Sequence, residues 1–152
     1  MSGTVLSLKQ ALKIAEGTLQ AALAAGYAPS CVAVLDQGGH VLALLRDERA
    51  SLFRPQIAIA KASGCLGMGF GGRELARRAQ AMPQFFTALS AIFPDGIIPV
   101  AGGVLVRGSE KQLYGAVGAS GDTSENDELC AVSGIEGAGF VADTGAAAPE
   151  GR

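Results

Sequence analysis

Tryptophan is absent from this sequence of 152 residues, and histidine occurs once, at His40. Only 5% of the residues are aromatic whereas 22 are glycine, so close backbone packing must replace large aromatic side chains in the core. Cysteine occurs three times, at positions too far apart for a CxxC pair. Neither a disulfide framework nor a structural zinc site is therefore indicated, and we predict buried thiols at Cys31, Cys65 and Cys130.

A large excess of charge is also missing. Twelve Lys and Arg residues against 14 Asp and Glu residues give a formal net charge of -2, which offers no basic surface for nucleic acid. No apolar run approaches the roughly 20 residues of a membrane-spanning helix. The first ten residues, MSGTVLSLKQ, lack the basic and apolar regions of a secretory signal. We therefore predict a cytoplasmic protein with no nucleic-acid or membrane partner.

The first third of the chain predicts one helix and one hairpin. Leucines recur at helical spacing between residues 8 and 23, with a capping-box relation between Ser7 and Gln10 and a stop signal at Gly26. Two apolar runs, SCVAVLD and HVLALLRD, flank the turn sequence QGG and predict a β-hairpin. Because both runs are almost continuously apolar, we expect both faces of the hairpin to be covered.

The remainder of the chain predicts four helices and a second hairpin. Pro55 fits the first turn of a helix that carries Lys61, and three glycines in its second half indicate that it presses against another backbone or ends early. The segment GRELARR and the apolar segment after Pro83 predict two short helices. The segment PDGIIPVAGGVLVRGSEKQLYGAVGASG predicts a loop and then a hairpin with its turn at Gly108 to Lys111, and the last helix is expected to begin at about Thr123 or Ser124.

This order of elements predicts a single domain of the α+β class, in which antiparallel hairpins form a sheet covered by helices. We place the domain at residues 1–142. A flexible C-terminal tail is expected at residues 143–152, because the segment ADTGAAAPEGR has nothing to bury. The sequence GMGFGG does not indicate a dinucleotide site, since no strand directly precedes it.

The stretch DTSENDEL at residues 122–129 concentrates acidic residues where the last helix begins. Carboxylates there complement the helix macrodipole, and Ser124 with Asp127 fits a capping relation. A binding site is the alternative, because nearby glycines leave backbone amides that could hold a carboxylate or another anion. In that interpretation the ligand contacts include Ser120, Gly121 and Glu128.

A second group, Asp36, Arg46 and Lys61, comes from the first hairpin and the helix that follows it. Arg46 could clamp a carboxylate with two hydrogen bonds, and Lys61 could act as a point charge or, if desolvated, as an acid or base. A set of salt bridges at the sheet edge is the alternative. If Lys61 meets Asp127 in a cleft, both should have the shifted pKa values of proton-transfer groups.

The double glycine of AGGVLV, Gly102 and Gly103, stands where a strand begins. It permits a β-bulge or the close approach of a ligand to the backbone. The basic helix GRELARR brings three arginines together, which could meet an acidic ligand or form a solvated face.

Four ordered blocks, VAVLDQGGHVLALLRDE, AIAKA, AGGVLV and GAVGASGDTSENDELCAVSG, resemble the GlcG and HbpS type of haem-binding or haem-degrading domain and the carboxy-terminal part of PduO-type proteins. The resemblance extends from about Leu6 to Phe140. It implies a five-stranded antiparallel sheet flanked by helices, of profilin-like or PAS-like shape, and a symmetric homo-oligomer. It also implies haem or another tetrapyrrole as a ligand and a link to small organic acid catabolism.

Haem-binding members of this family are thought to ligate iron through a histidine near the first helix, which this chain lacks. His40, at the end of the DQGG turn, is then the candidate axial ligand, and an exposed turn residue is the alternative. Met68, Tyr114 or a cysteine could also ligate iron, but nothing in their spacing selects one of them. The walls of an apolar pocket are expected from three phenylalanines, Phe85, Phe86 and Phe93.

Two functions follow from these observations. The first is a small-ligand-binding protein whose contacts include the residues Asp36, Arg46, Gly102, Gly103, Ser120, Gly121 and Glu128. The alternative is a cofactor-independent isomerase, tautomerase or hydratase that acts on a small carboxylic acid. In that enzyme Arg46 anchors the carboxylate, and Lys61 or Asp127 transfers the proton.

Overall fold

Five strands form one antiparallel sheet with the order β2-β1-β4-β3-β5 in the computed structural model, which describes residues 5–146. The strands are β1 (Cys31–Asp36), β2 (Val41–Arg46), β3 (Gly103–Arg107), β4 (Leu113–Ser120) and β5 (Val141–Asp143). The helices are α1 (Leu8–Ala25), α2 (Arg54–Met68), α3 (Gly72–Ala81), α4 (Pro83–Leu89) and α5 (Ser124–Gly137). The predicted α+β fold with its five-stranded sheet is confirmed.

The two predicted hairpins join at the centre of the sheet, where β1 pairs with β4. Alternate side chains of these strands point to opposite faces. Val32 and Val34 face the core under α1 and α5, whereas Leu35 faces the core under α2, α3 and α4. Both faces of β1 are thus covered, which explains its unbroken apolar sequence.

Helix α1 has the predicted ends, because Ser7 and Gln10 form a capping box and Gly26 closes the helix at a φ of 73°. Its leucines, however, are not its buried face. Leu8 and Leu23 are exposed, and the buried positions are mostly small residues. A β-carbon on Gly17 would lie 3.2 Å from the Cα atom of Gly134, so α1 and α5 pack through their backbones.

Helix α2 also approaches the sheet through glycine. A β-carbon on Gly118 of β4 would overlap the carbonyl oxygen of Ala58, and one on Gly103 would lie 2.6 Å from the carbonyl oxygen of Lys61. The helix ends at Gly69, which caps it at a φ of 83°. Of the helix's own glycines, Gly69 ends the helix, whereas Gly64 and Gly67 lie under the side chains of Ile97 and Phe93 and not against another backbone.

Residues 143–146, which we expected to begin a flexible tail, are held against the domain. Leu105 of β3 pairs with Asp143 of β5, and Arg107 Nε donates to Asp143 Oδ2 over 2.8 Å. The carbonyl oxygen of Thr144 accepts a hydrogen bond from the Arg73 amide at the start of α3. The expectation was wrong for these residues because strand pairing through the backbone needs no apolar side chains. Residues 147–152 of the expected tail lie outside the described residues.

The three cysteines are buried free thiols, as predicted. Burial raises the pKa of Cys65 to about 12 and the pKa values of Cys31 and Cys130 to about 11, so all three remain protonated at neutral pH. No helix within residues 5–146 combines the length and the apolar character needed to span a bilayer.

Candidate functional site

Lys61 and Asp127 meet at the C-terminal end of β4, the central strand of the sheet. Lys61 Nζ lies 3.2 Å from Asp127 Oδ2 and 2.9 Å from the carbonyl oxygen of Ala119, to which it donates a hydrogen bond. Only 4% of Lys61 and 3% of Asp127 are exposed. The structure therefore brings together the two residues that we expected to form a proton-transfer pair, but in a buried ion pair.

The amides near Gly121 hold a carboxylate, and it comes from the protein itself. Asp127 Oδ1 accepts a hydrogen bond from the Asp122 amide over 2.9 Å, and Oδ2 accepts one from the Gly121 amide over 3.3 Å. With Lys61, these donors satisfy both oxygens of the buried carboxylate. The anion site predicted for this backbone is thus filled by Asp127.

The N-terminus of α5 is capped differently from the prediction. Thr123 is the N-cap, and its hydroxyl accepts a hydrogen bond from the Asn126 amide. Asp122 accepts hydrogen bonds from the amides of Ala28 and Thr123, which fixes the preceding loop. The expected capping relation between Ser124 and Asp127 is wrong, because Asp127 binds the loop before the helix.

Gly102 makes room for Lys61. Its φ of 106° lies in the region that favours glycine, and a β-carbon there would lie 2.9 Å from Lys61 Nζ. Gly103 meets the α2 backbone, as described above. The close approach predicted for this glycine pair is therefore an approach to α2 and its lysine.

Burial lowers the pKa of Lys61 below its usual value of 10.5, although the neighbouring Asp127 carboxylate opposes this shift. The unfolded chain then binds more protons than the native state between the lowered pKa and about 10.5. The contribution of Lys61 to the free energy of unfolding should therefore increase as the pH rises through this window, which makes the protein more stable.

We expect this gain in urea titrations at a series of alkaline pH values. The measured quantity is the difference in free energy of unfolding between the wild-type protein and a Lys61→Met variant, which cancels the titration of groups that do not contact Lys61. A difference that stays flat or falls up to about pH 10.5 would contradict the lowered pKa.

Two arginines complete this polar region. Arg54 Nη1 donates to the hydroxyl of Ser120 over 3.1 Å, and Arg73 Nε donates to both carboxylate oxygens of Glu128. Arg54 was not among the predicted site residues. Its position in the Arg-Pro pair that opens α2 is a signal for a helix start, but not for a partner on β4.

Arg46 does not reach the Lys61 pair. Its Nη1 atom donates to the carbonyl oxygens of Asp47, Glu48 and Ala50, in the loop that follows β2. In the sheet, Cys31 pairs with both Arg46 and Ser120, so two strand spacings, about 10 Å, separate their backbones. The common hollow expected for Arg46 and Lys61 is not found.

Asp36 and His40 lie at the opposite end of β1, where they form the β1–β2 turn. Asp36 Oδ1 accepts hydrogen bonds from the amides of Gly38 and His40 and lies 3.4 Å from His40 Nδ1. The His40 side chain is 83% exposed. Beside it is an open hollow of about 300 Å³, whose lining includes Leu6, Leu42 and Tyr114.

Of the three phenylalanines expected as pocket walls, Phe93 lines a separate hollow of about 270 Å³ beside Gly38 and Gly39, and the other two have different places. Phe86 is buried in the core below β3 and β4, whereas Phe85 is exposed. The Phe93 ring covers Gly67 of α2. Of the three, none lies in the hollow beside His40.

The fold matches a class of proteins of which several structures have been solved. HbpS is 29% identical to this chain, with a TM-score of 0.76, and the match covers 90% of this chain and 92% of HbpS. Protein ORFY of Klebsiella pneumoniae is 25% identical, with a TM-score of 0.80 and coverages of 91% and 93%. The haem complex of PduOC, at 21% identity, has a TM-score of 0.78 over 90% of this chain and 96% of PduOC.

The family model of HbpS-like haem-degrading proteins matches residues 6–136. Because this match spans most of the chain, the protein belongs to the HbpS-like family. No curated protein matches the sequence significantly.

Proposed function

We propose that the protein binds haem or a related tetrapyrrole as a small ligand, with His40 as the iron ligand. The family is described as haem-degrading, and the structural relative PduOC was solved with haem. The arrangement of Asp36 and His40 beside an apolar hollow is the observation that carries the proposal. Bound haem would supply a redox-active iron.

The imidazole of His40 fits this role. With Nδ1 facing the Asp36 carboxylate at 3.4 Å, Nε2 is left to bind a metal. A carboxylate on the far nitrogen is the arrangement that commonly orients histidine ligands of metals. Asp36 itself is held in place by the amides of the turn, so the pair is pre-organised.

The hollow next to His40 offers apolar contacts for a flat ring. Leu6, Leu42 and Tyr114 line it, and the Tyr114 ring packs on Phe140 with centroids 5.0 Å apart. Its volume of about 300 Å³ is at the lower end of the range for small-ligand pockets. Part of a tetrapyrrole would therefore extend beyond the hollow.

Exposed apolar residues on α1, Leu8 and Leu12 among them, support the proposal of a homo-oligomer, since subunit contacts would remove them from water. A cytoplasmic location and a link to organic acid catabolism stay predictions. The enzymatic alternative also stays a prediction, and the low exposure of Lys61 and Asp127 means that a substrate could reach them only after a local opening.

Titration with haemin tests the proposal. The wild-type protein should develop a saturable Soret band, and His40→Ala should weaken binding at least about tenfold and shift the band, because the iron loses its protein ligand. Asp36→Asn keeps an oxygen for the turn amides but removes the charge, and should weaken binding about tenfold.

The control is Leu52→Ala, which alters a side chain that is 79% exposed and lies outside the hollow. It should bind haemin like the wild type. Absence of a saturable band in the wild type would refute haem binding. Equal affinity in wild type and His40→Ala would refute the assignment of the ligand.

A further inference from the structure

We propose that a second hollow, between the C-terminal end of α1 and the loop after β2, binds a small monocarboxylic acid through Arg46. This Arg46 hollow has a volume of about 250 Å³. It is lined by residues of α1 and of the segment 27–30 together with Arg46, Asp47 and Glu48. The inference concerns a different place in the fold from His40 and goes beyond the proposed haem function.

Arg46 is exposed, and its guanidinium has hydrogen-bond donors without a partner among the described residues. All its hydrogen bonds to described residues come from Nη1, which donates to three loop carbonyls at 3.3 to 3.4 Å. Within residues 5–146, no group accepts a hydrogen bond from Nε or Nη2. These two nitrogens form the side of the guanidinium that binds a carboxylate with two parallel hydrogen bonds.

Most other arginines already have such a partner. Among the arginines that the structure describes, Arg46 and Arg54 alone form no ion pair with a carboxylate. The other pairs are Arg49 with Asp47, Arg73 with Glu128, Arg77 and Arg78 with Glu74, and Arg107 with Asp143. Arg54 instead donates to the hydroxyls of Ser51 and Ser120. Arg46 is thus the arginine left to bind an external carboxylate.

The apolar part of the lining indicates which group the ligand carries beside its carboxylate. Leu19, Ala22, Leu23 and Tyr27 give the hollow an apolar surface, and Leu23 is 56% exposed although it faces the hollow. A short aliphatic or aromatic group would cover this surface. The volume restricts the ligand to a small molecule.

The acidic residues in the lining, Asp47 and Glu48, restrict the charge of the ligand. The Asp47 carboxylate is neutralised by Arg49, which binds it at 2.8 Å. Glu48 is exposed and forms no ion pair with any residue from 5 to 146. A ligand with a second carboxylate would meet this negative charge, so a monocarboxylate is favoured over a dicarboxylate.

Butyrate is the probe for this site, and butyramide, which has the same size but no charge, is its control. In ¹H–¹⁵N spectra, butyrate should shift the amides of residues 27–30 and 46–48 in a saturable manner, and butyramide should not. Arg46→Gln should raise the Kd for butyrate about tenfold or more, because a charge-assisted hydrogen-bond pair is lost.

Arg77→Gln is the matched control variant, since it removes an exposed arginine whose carboxylate partner, Glu74, lies outside the Arg46 hollow. It should leave the Kd within about twofold, a change well below the tenfold step of 1.4 kcal/mol. Shifts that do not saturate, equal shifts with butyramide, or an unchanged Kd in Arg46→Gln would each overturn the proposal. His40→Ala should bind butyrate normally, so failure of the haem proposal is distinguishable from failure here.

Discussion

Replacing Lys61 with methionine should lower the free energy of unfolding by about 3 kcal/mol or more. The substitution removes the charge that pairs with Asp127 inside the protein and leaves a buried carboxylate with backbone amides as its only donors among the described residues. Methionine retains most of the length of the lysine side chain, so cavity formation contributes little. Urea unfolding at neutral pH, followed by far-UV circular dichroism, measures the loss.

A double variant separates loss of the ion pair from loss of packing. Asp127→Asn keeps the oxygen that accepts from the Asp122 amide but removes the charge. The Lys61→Met and Asp127→Asn double variant should therefore be more stable than the sum of the single effects implies. Lys9→Met, at an exposed position on α1, should change stability by less than about 0.5 kcal/mol. Strictly additive single effects would show that the pair contributes no coupling energy.

Gly118→Ala should be at least as damaging, with a loss of about 3 kcal/mol or more. The added methyl group would overlap the carbonyl oxygen of Ala58 and lie 3.0 Å from the Ala62 nitrogen. Both atoms belong to the α2 backbone, so relief requires a shift of the helix rather than of a side chain. The expected result is a large drop in the urea midpoint or a failure to fold.

Gly137→Ala provides the matched control for this substitution. A methyl group at Gly137, in the last turn of α5, would meet no described atom within 4 Å. It should leave stability unchanged or raise it by about 0.5 to 1 kcal/mol through helix propensity. A Gly118→Ala variant as stable as Gly137→Ala would contradict the close contact between α2 and β4.

Most of the elements could be predicted because their signals are local. The capping box of Ser7 and the stop at Gly26 define α1, and the alternation of apolar runs with turn residues defines both hairpins. Strand β5 could not be predicted from its residues, since three positions are too few to show an alternating apolar pattern. It was expected only from the resemblance to other proteins with a fifth strand.

The candidate site was predictable in part. The acidic residues before α5 and the lysine on α2 indicated a polar centre, and Lys61 does meet Asp127 there. The separation of Arg46 from that centre depends on strand order, which places Cys31 between Arg46 and Ser120. The pairing of Arg73 with Glu128 depends on where α3 lies. Its position is set by a close backbone contact at its first residue, Gly72, where a β-carbon would overlap the carbonyl oxygen of Val100. Such tertiary contacts have no signature in local spacing.

The pairing of β1 with β4 has a consequence for synthesis on the ribosome. Cys31 lies opposite Ser120, so the middle of the sheet cannot close until the segment containing Ser120 has left the exit tunnel. Until then β1 has one edge without a partner strand, and Val32 and Val34 lack their covering residues from α5. A nascent chain halted in this interval would expose an unpaired, aggregation-prone strand, and we expect its solubility to depend on chaperone binding.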